Sequence, residues 1–349
     1  MVEAQTLTRP TPQTSESGEI PAAILFPGQG LRPQDICFYY QLLTDINPEL
    51  TKQYLSLAQQ ALEKVQGSSS FKIETALQDE DSEYFQNTSF VQPVVYTLSV
   101  LTYEIIRPRP GLRAAYEIIR PGLRNRNIIP KVMAGHSLGE YSALTAAGVV
   151  PFAQGIEIVS FRGRVMQEAC DETPSNLVSI RDLTEDQVRQ GVCQETLAMI
   201  ALINAPDLIV VGCAAEDLPN IEQLATKAGG QRVQILDTAG AFHTLFMQRA
   251  ASELERFLVK YSFANPDYPI VANLTGDISE SGASLQNHLV EGMVNPVRWS
   301  KSLQTIQGLA VEIFVELGPG TSLTRLNVLN GIPEEQTVNI NHFSLKAQS

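Results

Sequence analysis

The 349-residue chain is short of histidine and cysteine, with four of each, and has no long apolar run. Cys37, Cys170, Cys193 and Cys213 lie far apart without C-x-x-C spacing, which excludes a disulfide framework and leaves scattered reduced thiols. No Cys/His cluster has the spacing of metal ligands, so no metal is expected. Nowhere does the chain reach the roughly 18 to 20 uninterrupted apolar residues of a membrane span, and no basic segment followed by an apolar one opens it. No membrane partner is expected, and the cytoplasm is the default address. Basic residues are also scarce: 25 Lys and Arg face 38 Asp and Glu, a formal charge of -13. That balance argues against nucleic acid, because phosphate binding needs a basic surface.

What is present is 44% hydrophobic content, enough for one large domain with a smaller insertion or for two domains of ordinary size. Residues 1–20 are polar, rich in Thr, Pro, Ser and Glu, and lack an apolar period, the composition of a disordered leader. Folding is expected from Ala22. Residues 22–26 read as a short buried strand broken by Pro27-Gly-Gln-Gly30, whose glycines permit a sharp turn at the strand's end. Helical periodicity runs from Phe38 to about Val65 and from Pro93 to Ile106. A repeat follows: the segment Tyr103-Glu-Ile-Ile-Arg-Pro-Arg-Pro-Gly-Leu-Arg113 is echoed by Tyr116-Glu-Ile-Ile-Arg-Pro-Gly-Leu-Arg124. Two copies do not make a solenoid, and Pro108, Pro110 and Pro121 forbid one continuous helix. One copy is expected to finish the helix and the other to bulge. The segment 103–124 is basic, which fits a docking patch. A solvated loop is preferred, because the segment feeds the start of a strand whereas α/β sites lie at the carboxyl ends.

From Lys131 the pattern is strand (132–134), tight turn, helix (138–147) and long helix (152–172), a parallel α/β arrangement. Residues 176–236 then read strand, helix, strand, strand, helix, strand, over 177–180, 185–194, 199–204, 208–213, 221–228 and 231–236. That is the split βαβ order of a small ferredoxin-like subdomain. The remainder returns to the large domain with strands near 270–273 and 313–316. The expected division is a catalytic domain of residues 21–175 and 237–349, interrupted by a subdomain of residues 176–236.

Gly135-His-Ser-Leu-Gly139 places a G-x-S-x-G sequence between an apolar strand and a helix, the setting that holds a serine on a strained turn with its hydroxyl exposed. At about 7% each for Gly and Ser, the triplet arises by chance in about one chain in ten of this length, so the flanking strand and helix carry the argument. Ser137 is read as a nucleophile. The glycines keep Cβ atoms out of the turn, and the start of the helix offers free N–H groups to an oxyanion.

The base must come from four histidines. His136 adjoins the nucleophile, so the turn sends its side chain elsewhere, to be packed or solvent-facing. His288 sits in the polar run Gln286-Asn-His288 of a surface helix, and His342 lies in the tail. Elimination leaves His243, in Gly240-Ala-Phe-His243 at a strand-to-helix junction, as the base. No carboxylate is marked as its partner: Asp237 is near in the chain, and a backbone carbonyl would orient the imidazole just as well. A second oxyanion donor is expected from another strand end, where the Gln29 N–H is best placed. Arg162 lies among Val159, Phe161, Val165 and Met166, the neighbours of an inward helix face, where a guanidinium needs an anion. Its fork of donors matches a carboxylate. Gly318-Pro-Gly320 opens a helix whose N-terminus would suit phosphate, although a plain capped helix is preferred.

Together these residues resemble the malonyl-CoA:acyl carrier protein transacylases of fatty acid synthesis and the acyltransferase domains of polyketide synthases. The likeness runs from about residue 23 to about residue 326. It rests on Leu25-Phe-Pro-Gly-Gln-Gly30, Val91-Gln-Pro93, Ala134-Gly-His-Ser-Leu-Gly-Glu-Tyr-Ser-Ala-Leu144, Phe161-Arg-Gly-Arg-Val-Met-Gln167, Gly240-Ala-Phe-His243, Asn295-Pro-Val-Arg-Trp299 and Val315-Glu-Leu-Gly-Pro-Gly320, in that order. It implies an α/β-hydrolase-like large domain with an inserted ferredoxin-like subdomain and a site in the cleft between them. It further implies that Ser137 carries the acyl group, that His243 is the base and that the N–H groups of Gln29 and Leu138 form the oxyanion hole. Arg162 would bind the malonyl carboxylate, with Gln92 as a supporting polar residue and Met166 as a further substrate-binding residue.

By the same likeness a backbone carbonyl at about Gly292, where a glutamine is commoner, orients the imidazole. Phe242 would select malonyl over methylmalonyl, a discrimination of about 1 to 3 kcal/mol for one methyl group. The duplicated segment stretches the distance from Gln92 to Ser137 beyond what the family usually shows. The implied substrate is a coenzyme A thioester, malonyl-CoA, the partner is an acyl carrier protein, no cofactor is bound, and a monomer is expected. Carrier proteins are usually acidic, so the charge of -13 implies long-range repulsion unless a local basic patch reverses the field at the docking face. Fatty acid and polyketide synthesis both stay open; the initial Met and the leader favour a free-standing protein, with an excised domain as the alternative. Two rivals stand beside this reading: an acyl hydrolase using the same Ser/His pair, and a non-catalytic docking module on the same fold.

Overall fold

The computed structural model describes residues 19–67, 71–107 and 127–339. Most of the expected leader, residues 1–18, lies outside the described residues, as do the duplicated basic segment from residue 108 onwards and His342. In chain order the large domain begins with β1 (Glu19–Phe26), α1 (Pro33–Ile46), α2 (Pro48–Gln66), α3 (Ile73–Ala76), α4 (Thr88–Ile106), β2 (Asn127–Gly135), α5 (Gly139–Ala146) and α6 (Phe152–Glu172). The smaller unit follows with β3 (Ser175–Arg181), α7 (Glu185–Val188), β4 (Met199–Ala205), β5 (Leu208–Ala214), α8 (Leu218–Lys227) and β6 (Arg232–Ile235). The chain then returns through α9 (Gln248–Leu258), β7 (Ile270–Val271), β8 (Ile278–Ser279), α10 (Gly282–Glu291), α11 (Trp299–Gln307), β9 (Ile313–Glu316), α12 (Ser322–Leu329) and β10 (Thr337–Asn339).

The large sheet has the order β10-β9-β1-β2-β7-β8, and every neighbouring pair is parallel except β7 with β8. β1 is central and nearly all buried, as the apolar run of a parallel strand covered on both faces should be. Its register with β2 runs Ile24↔Met133, Leu25↔Ala134, Phe26↔Gly135. The two strands therefore end side by side, which brings the Pro27–Gly30 turn next to the Gly135–Gly139 turn. The second sheet has the order β4-β5-β3-β6, all antiparallel, which is the ferredoxin-like arrangement. One of its faces, with Val178, Ile180, Ile209 and Val211, packs with residues of its own helices such as Val188, Ile221 and Ala225. Leu177, Ala201, Leu202 and Val210 of the same sheet belong to the core of the large domain. The edge strand β4 is also stitched across: the Ile203 N–H donates to Val297 O (2.9 Å) and the Val297 N–H to Ala201 O (3.0 Å).

Element boundaries moved where local composition misled. β1 starts at Glu19, not Ala22: Glu19 and Ile20, read as leader, pair with residues 127 and 128, and Ile20 is buried. Pro21 is tolerated within the strand because its carbonyl, which accepts the Glu312 N–H (2.8 Å), faces the β9 side, where strand pairing begins only at Ala22↔Ile313. The single helical run expected over 38–65 is two helices. Pro48 restricts the residue before it, and Asn47 caps α2 by accepting the Leu50 N–H (3.1 Å). α4 starts five residues before Pro93, capped by Asn87. The missing N–H of Pro93 frees Ser89 O, which accepts from Gln66 Nε2 (3.1 Å). α4 alone among the described residues is long and apolar enough to cross a membrane, and it is mostly buried inside the protein as a core helix. The helix expected over 185–194 is one α-turn followed by a π-turn at Arg189–Cys193.

Glu316, at the carboxyl end of β9, is fully buried. Its carboxylate accepts from Leu323 N (3.0 Å), Thr324 N (2.9 Å), Thr324 Oγ1 (2.6 Å) and Asn339 Nδ2 (2.7 Å). Its carboxyl group therefore occupies the N-terminus of α12, and the Gly318–Gly320 turn leads into a helix whose Leu323 and Thr324 N–H groups are already taken. Burial raises its pKa, opposed by those hydrogen bonds. Glu316→Ala strands these donors and should lower the unfolding free energy by about 3 kcal/mol or more. The change will appear as a lower urea midpoint with unchanged slope.

Candidate active site

Ser137 sits where β2 turns into α5, with φ 51, a left-handed conformation that a residue with a Cβ adopts only under strain. The turn is as tight as glycine allows. A Cβ on Gly135 would lie 1.9 Å from the Gly139 carbonyl carbon, and one on Gly139 would lie 2.0 Å from Phe26 O. Ser137 Oγ is 2.7 Å from His243 Nε2, bridging 106 residues of chain. His243 also takes a left-handed conformation, φ 60, in a loop tied down by the Ala241 N–H to Ser175 Oγ (3.1 Å) and Thr244 Oγ1 to Ala241 O (2.6 Å). β5 lies directly against this loop: a Cβ on Gly212 would strike Thr244 and Ala241. The inserted subdomain is thus the wall against which the imidazole is set.

His243 Nδ1 donates to Gly292 O (2.7 Å), at the C-terminus of α10. With Nδ1 protonated, the Nε2 lone pair faces the serine hydroxyl. Among the described residues, the hydrogen-bond partners of the ring are Ser137 and Gly292; Asp237 is not one of them. Burial pushes the His243 pKa down to about 3, helped by the charge of Arg162 and opposed by the Gly292 hydrogen bond. The imidazole is neutral at any physiological pH and able to accept a proton.

The N–H groups of Gln29 and Leu138, at the ends of β1 and β2, donate to no protein acceptor among the described residues. Arg162 on α6 is 2% exposed. It reaches Gln92 because Gly163 lets α6 lie close on α4; a Cβ there would meet Thr88 O at 2.9 Å. Arg162 Nη1 donates to Gln92 Oε1 (2.7 Å), and Gln92 Nε2 donates to Gln29 Oε1 (2.8 Å) and approaches Met166 Sδ (3.3 Å). The guanidinium lies over the Tyr141 ring at 5.2 Å, and its Nε, though buried, has no hydrogen-bond partner among the described residues. No carboxylate forms an ion pair with it among the described residues. Burial lowers the Arg162 pKa, opposed by Tyr141 and Glu140. Phe242 and Met166 are buried beside these groups in the large core.

The remaining histidines stand apart from this chemistry. His136 is held by Asn204 Oδ1 (2.8 Å) and packs edge-on to Trp299, while His288 is half-buried on α10. The sequence reading passed over Asn273, whose Oδ1 accepts the Ser137 N–H (2.7 Å). It also passed over Glu140 and Tyr141, one helical turn beyond the serine. A signal for Asn273 did exist: it is the polar residue just past β7, the strand beside β2, at the carboxyl edge where α/β sites collect.

The profile of the acyl transferase domain family matches residues 26–338. Over 308 residues the chain is 28% identical to the malonyl CoA-acyl carrier protein transacylase of Bacillus subtilis (strain 168), covering 87% of this chain and 88% of that one. It is also 34% identical over 241 residues, 68% of its length, to polyketide biosynthesis protein ThaF of Burkholderia thailandensis, of which it spans only 19%. Among solved structures, a malonyl-transacylase in complex with its type II polyketide synthase acyl-carrier protein superposes with a TM-score of 0.72 at 26% identity, covering 91% of this chain and 94% of that one. A match across nearly all the described residues, joined to the shared architecture, shows that this chain belongs to the acyl transferase domain family.

Proposed function

We propose that the protein moves a malonyl group from coenzyme A to the phosphopantetheine thiol of an acyl carrier protein through an ester on Ser137. The observation that carries this reading is a buried guanidinium, without an ion-pair partner among the described residues, beside a serine hydrogen-bonded to a neutral imidazole. A hydrolase for uncharged acyl chains has no use for such a cation. The relatives named malonyl CoA-acyl carrier protein transacylase, and the solved complex with an acyl-carrier protein, support the same substrate and partner. Supply of extender units to fatty acid or polyketide synthesis follows from that pairing.

In the proposed reaction the malonyl carboxylate pairs with Arg162, which Gln92 holds in place, and the thioester carbonyl is thereby aimed at Ser137. His243 Nε2 takes the hydroxyl proton as Oγ attacks, a positioned base being worth about 10²- to 10⁴-fold. The negative oxygen of the tetrahedral intermediate is met by the N–H groups of Gln29 and Leu138, worth about 10²- to 10³-fold for a single donor. Coenzyme A leaves as the thiol, protonated by the imidazolium. The carrier thiol then enters, gives its proton to His243 and attacks the ester; as the intermediate collapses, Ser137 Oγ leaves with that proton from the imidazolium. The route is ping-pong, needs no bound cofactor, and uses coenzyme A only as part of the substrate. Phe242, beside the base, would crowd a substituent on the α-carbon and favour malonyl over methylmalonyl.

Brief exposure to malonyl-CoA should leave a malonyl adduct on Ser137 by mass spectrometry, with rapid loss of the acyl group only when a pantetheinylated carrier is added. Coenzyme A release that continues beyond one equivalent per enzyme without carrier would point to hydrolysis instead. Arg162→Ala removes a charge-assisted pair worth about 1.5 to 3 kcal/mol, so malonyl loading should fall roughly 10- to 150-fold. Acetyl loading should persist or rise in the same variant; equal loss of both would refute carboxylate recognition.

The pH dependence follows from the depressed pKa of His243. Acylation by malonyl-CoA in single turnovers should show no loss as pH falls through 6.5, the usual imidazole value, because the folded ring gains its proton only near 3. The unfolded chain protonates at 6.5, so this group destabilises the fold progressively as pH drops from there towards 3. A half-loss of acylation close to pH 6.5 would show that the ring titrates as if in water.

A further inference from the structure

The backbone of the nucleophile is held from behind by two buried side chains to which neither the motif nor the family likeness gives a role. Asn273 and Glu140 are 3% and 5% exposed. The Asn273 carboxamide spans the turn: Oδ1 accepts the Ser137 N–H at 2.7 Å, and Nδ2 donates to Gly135 O at 2.5 Å. Asn273 is itself pinned at both ends of its peptide unit. Its N–H donates to Glu140 Oε1 (2.9 Å), and its carbonyl accepts the Arg298 N–H (2.9 Å). Glu140 closes the circuit, since its N–H donates to Ser137 O (3.1 Å). Ser137, Asn273 and Glu140 thus form a ring of three hydrogen bonds around the one residue of the motif whose φ is positive. Such a conformation persists only where the surroundings over-determine it.

Two atoms depend on that conformation: Ser137 Oγ, 2.7 Å from His243 Nε2, and the Leu138 N–H. A relaxed, negative φ at Ser137 would turn both away together. We propose that Asn273 and Glu140 are positioning residues for acyl transfer, acting through Ser137 by holding its left-handed backbone so that Oγ meets the base while the Leu138 N–H faces the reacting carbonyl. This rests on the reading of Ser137 as the acyl carrier. What Glu140 supplies is an acceptor atom; burial pushes its pKa up to about 7, so the uncharged acid accepts the Asn273 N–H as well, and glutamine can stand in for it.

The test uses a fluorophosphonate, which reports an activated serine without regard to acyl donor: Ser137 Oγ bonds to phosphorus, the P–F bond breaks, fluoride leaves, and His243 takes the proton. Asn273→Ala should label about a hundredfold more slowly than wild type, the cost of misplacing a reacting atom by about 1 Å. Its affinity for malonyl-CoA, measured by calorimetry on a Ser137→Ala background, should be unchanged. Glu140→Ala should slow labelling as well, and Glu140→Gln should restore most of it. Wild-type labelling by Asn273→Ala, or parallel loss of labelling and affinity as a general loosening would give, overturns the proposal. Should the alanine variant not fold, the near-isosteric Asn273→Asp decides. It keeps the acceptor for the Ser137 N–H, so labelling well above that of a serine-less control supports the clamp, and complete loss in a folded protein overturns it. Wild-type protein that labels with the probe yet takes no acyl group from malonyl-CoA would sink the proposed function and leave the clamp standing.

Discussion

The site depends on how closely the start of α5 is pressed against the end of β1. Gly139 lies where any side chain would overlap the Phe26 carbonyl, and Gly135 lies where it would overlap Gly139. That contact forces the chain from strand to helix within three residues and leaves Ser137 at the apex. It also fixes the relation between the two neighbouring parallel strands, so that their terminal N–H groups, on Gln29 and Leu138, emerge on one edge. The inserted sheet completes the arrangement from above, because β5 rests on the loop that bears His243.

Within this frame the electrostatics of the cleft follow from burial. The imidazole is kept neutral by loss of water, and the neighbouring guanidinium lowers its proton affinity further. The guanidinium is itself nearly dry: it bonds a neutral carboxamide, lies over an aromatic ring and feels the Glu140 carboxyl without forming an ion pair among the described residues. A buried cation so poorly compensated is costly unless an anion arrives. Substrate charge therefore completes the pocket, and Gln92 links that event structurally to the turn carrying Gln29. Two residues with left-handed backbones, Ser137 and His243, face each other across this pocket. Strain at one is balanced by the ring of hydrogen bonds behind the serine, and at the other by the packed loop between β6 and α9.

Much of this was legible in the chain because it is written in local pattern. The alternation of apolar strands with amphipathic helices announced the parallel sheet, and the strand-helix-strand-strand-helix-strand run of residues 176–236 announced the ferredoxin-like insertion. The serine was marked by its flanking glycines, and the imidazole by the scarcity of histidine. The arginine stood out through its apolar neighbours. Gln92 and the carbonyl at Gly292 came only through family likeness, for nothing in a lone Gln or Gly marks such a partner. The link between Asn273 and the serine turn stayed hidden because its contacts, to Ser137, Gly135 and Glu140, span more than a hundred residues and run largely through main-chain atoms, although the place of Asn273 at the sheet's carboxyl edge was itself a signal. Boundaries failed for a related reason. Ile20 joins β1 because β2 lies beside it, a partner that polar neighbours such as Ser17 and Glu19 do not foretell.

The group that steadies the imidazole is the main-chain oxygen of Gly292, not an acidic side chain. A peptide carbonyl is present whatever residue occupies the position; Gly292 has an ordinary right-handed helical conformation, but a Cβ there would meet His288 O at 2.8 Å, so a side chain requires a small shift at the end of α10. No change of side chain removes the oxygen itself, and comparing side chains between relatives would never reveal it. It is lost only if the C-terminal end of α10 moves, so the integrity of the proton relay is guarded by the placement of a helix.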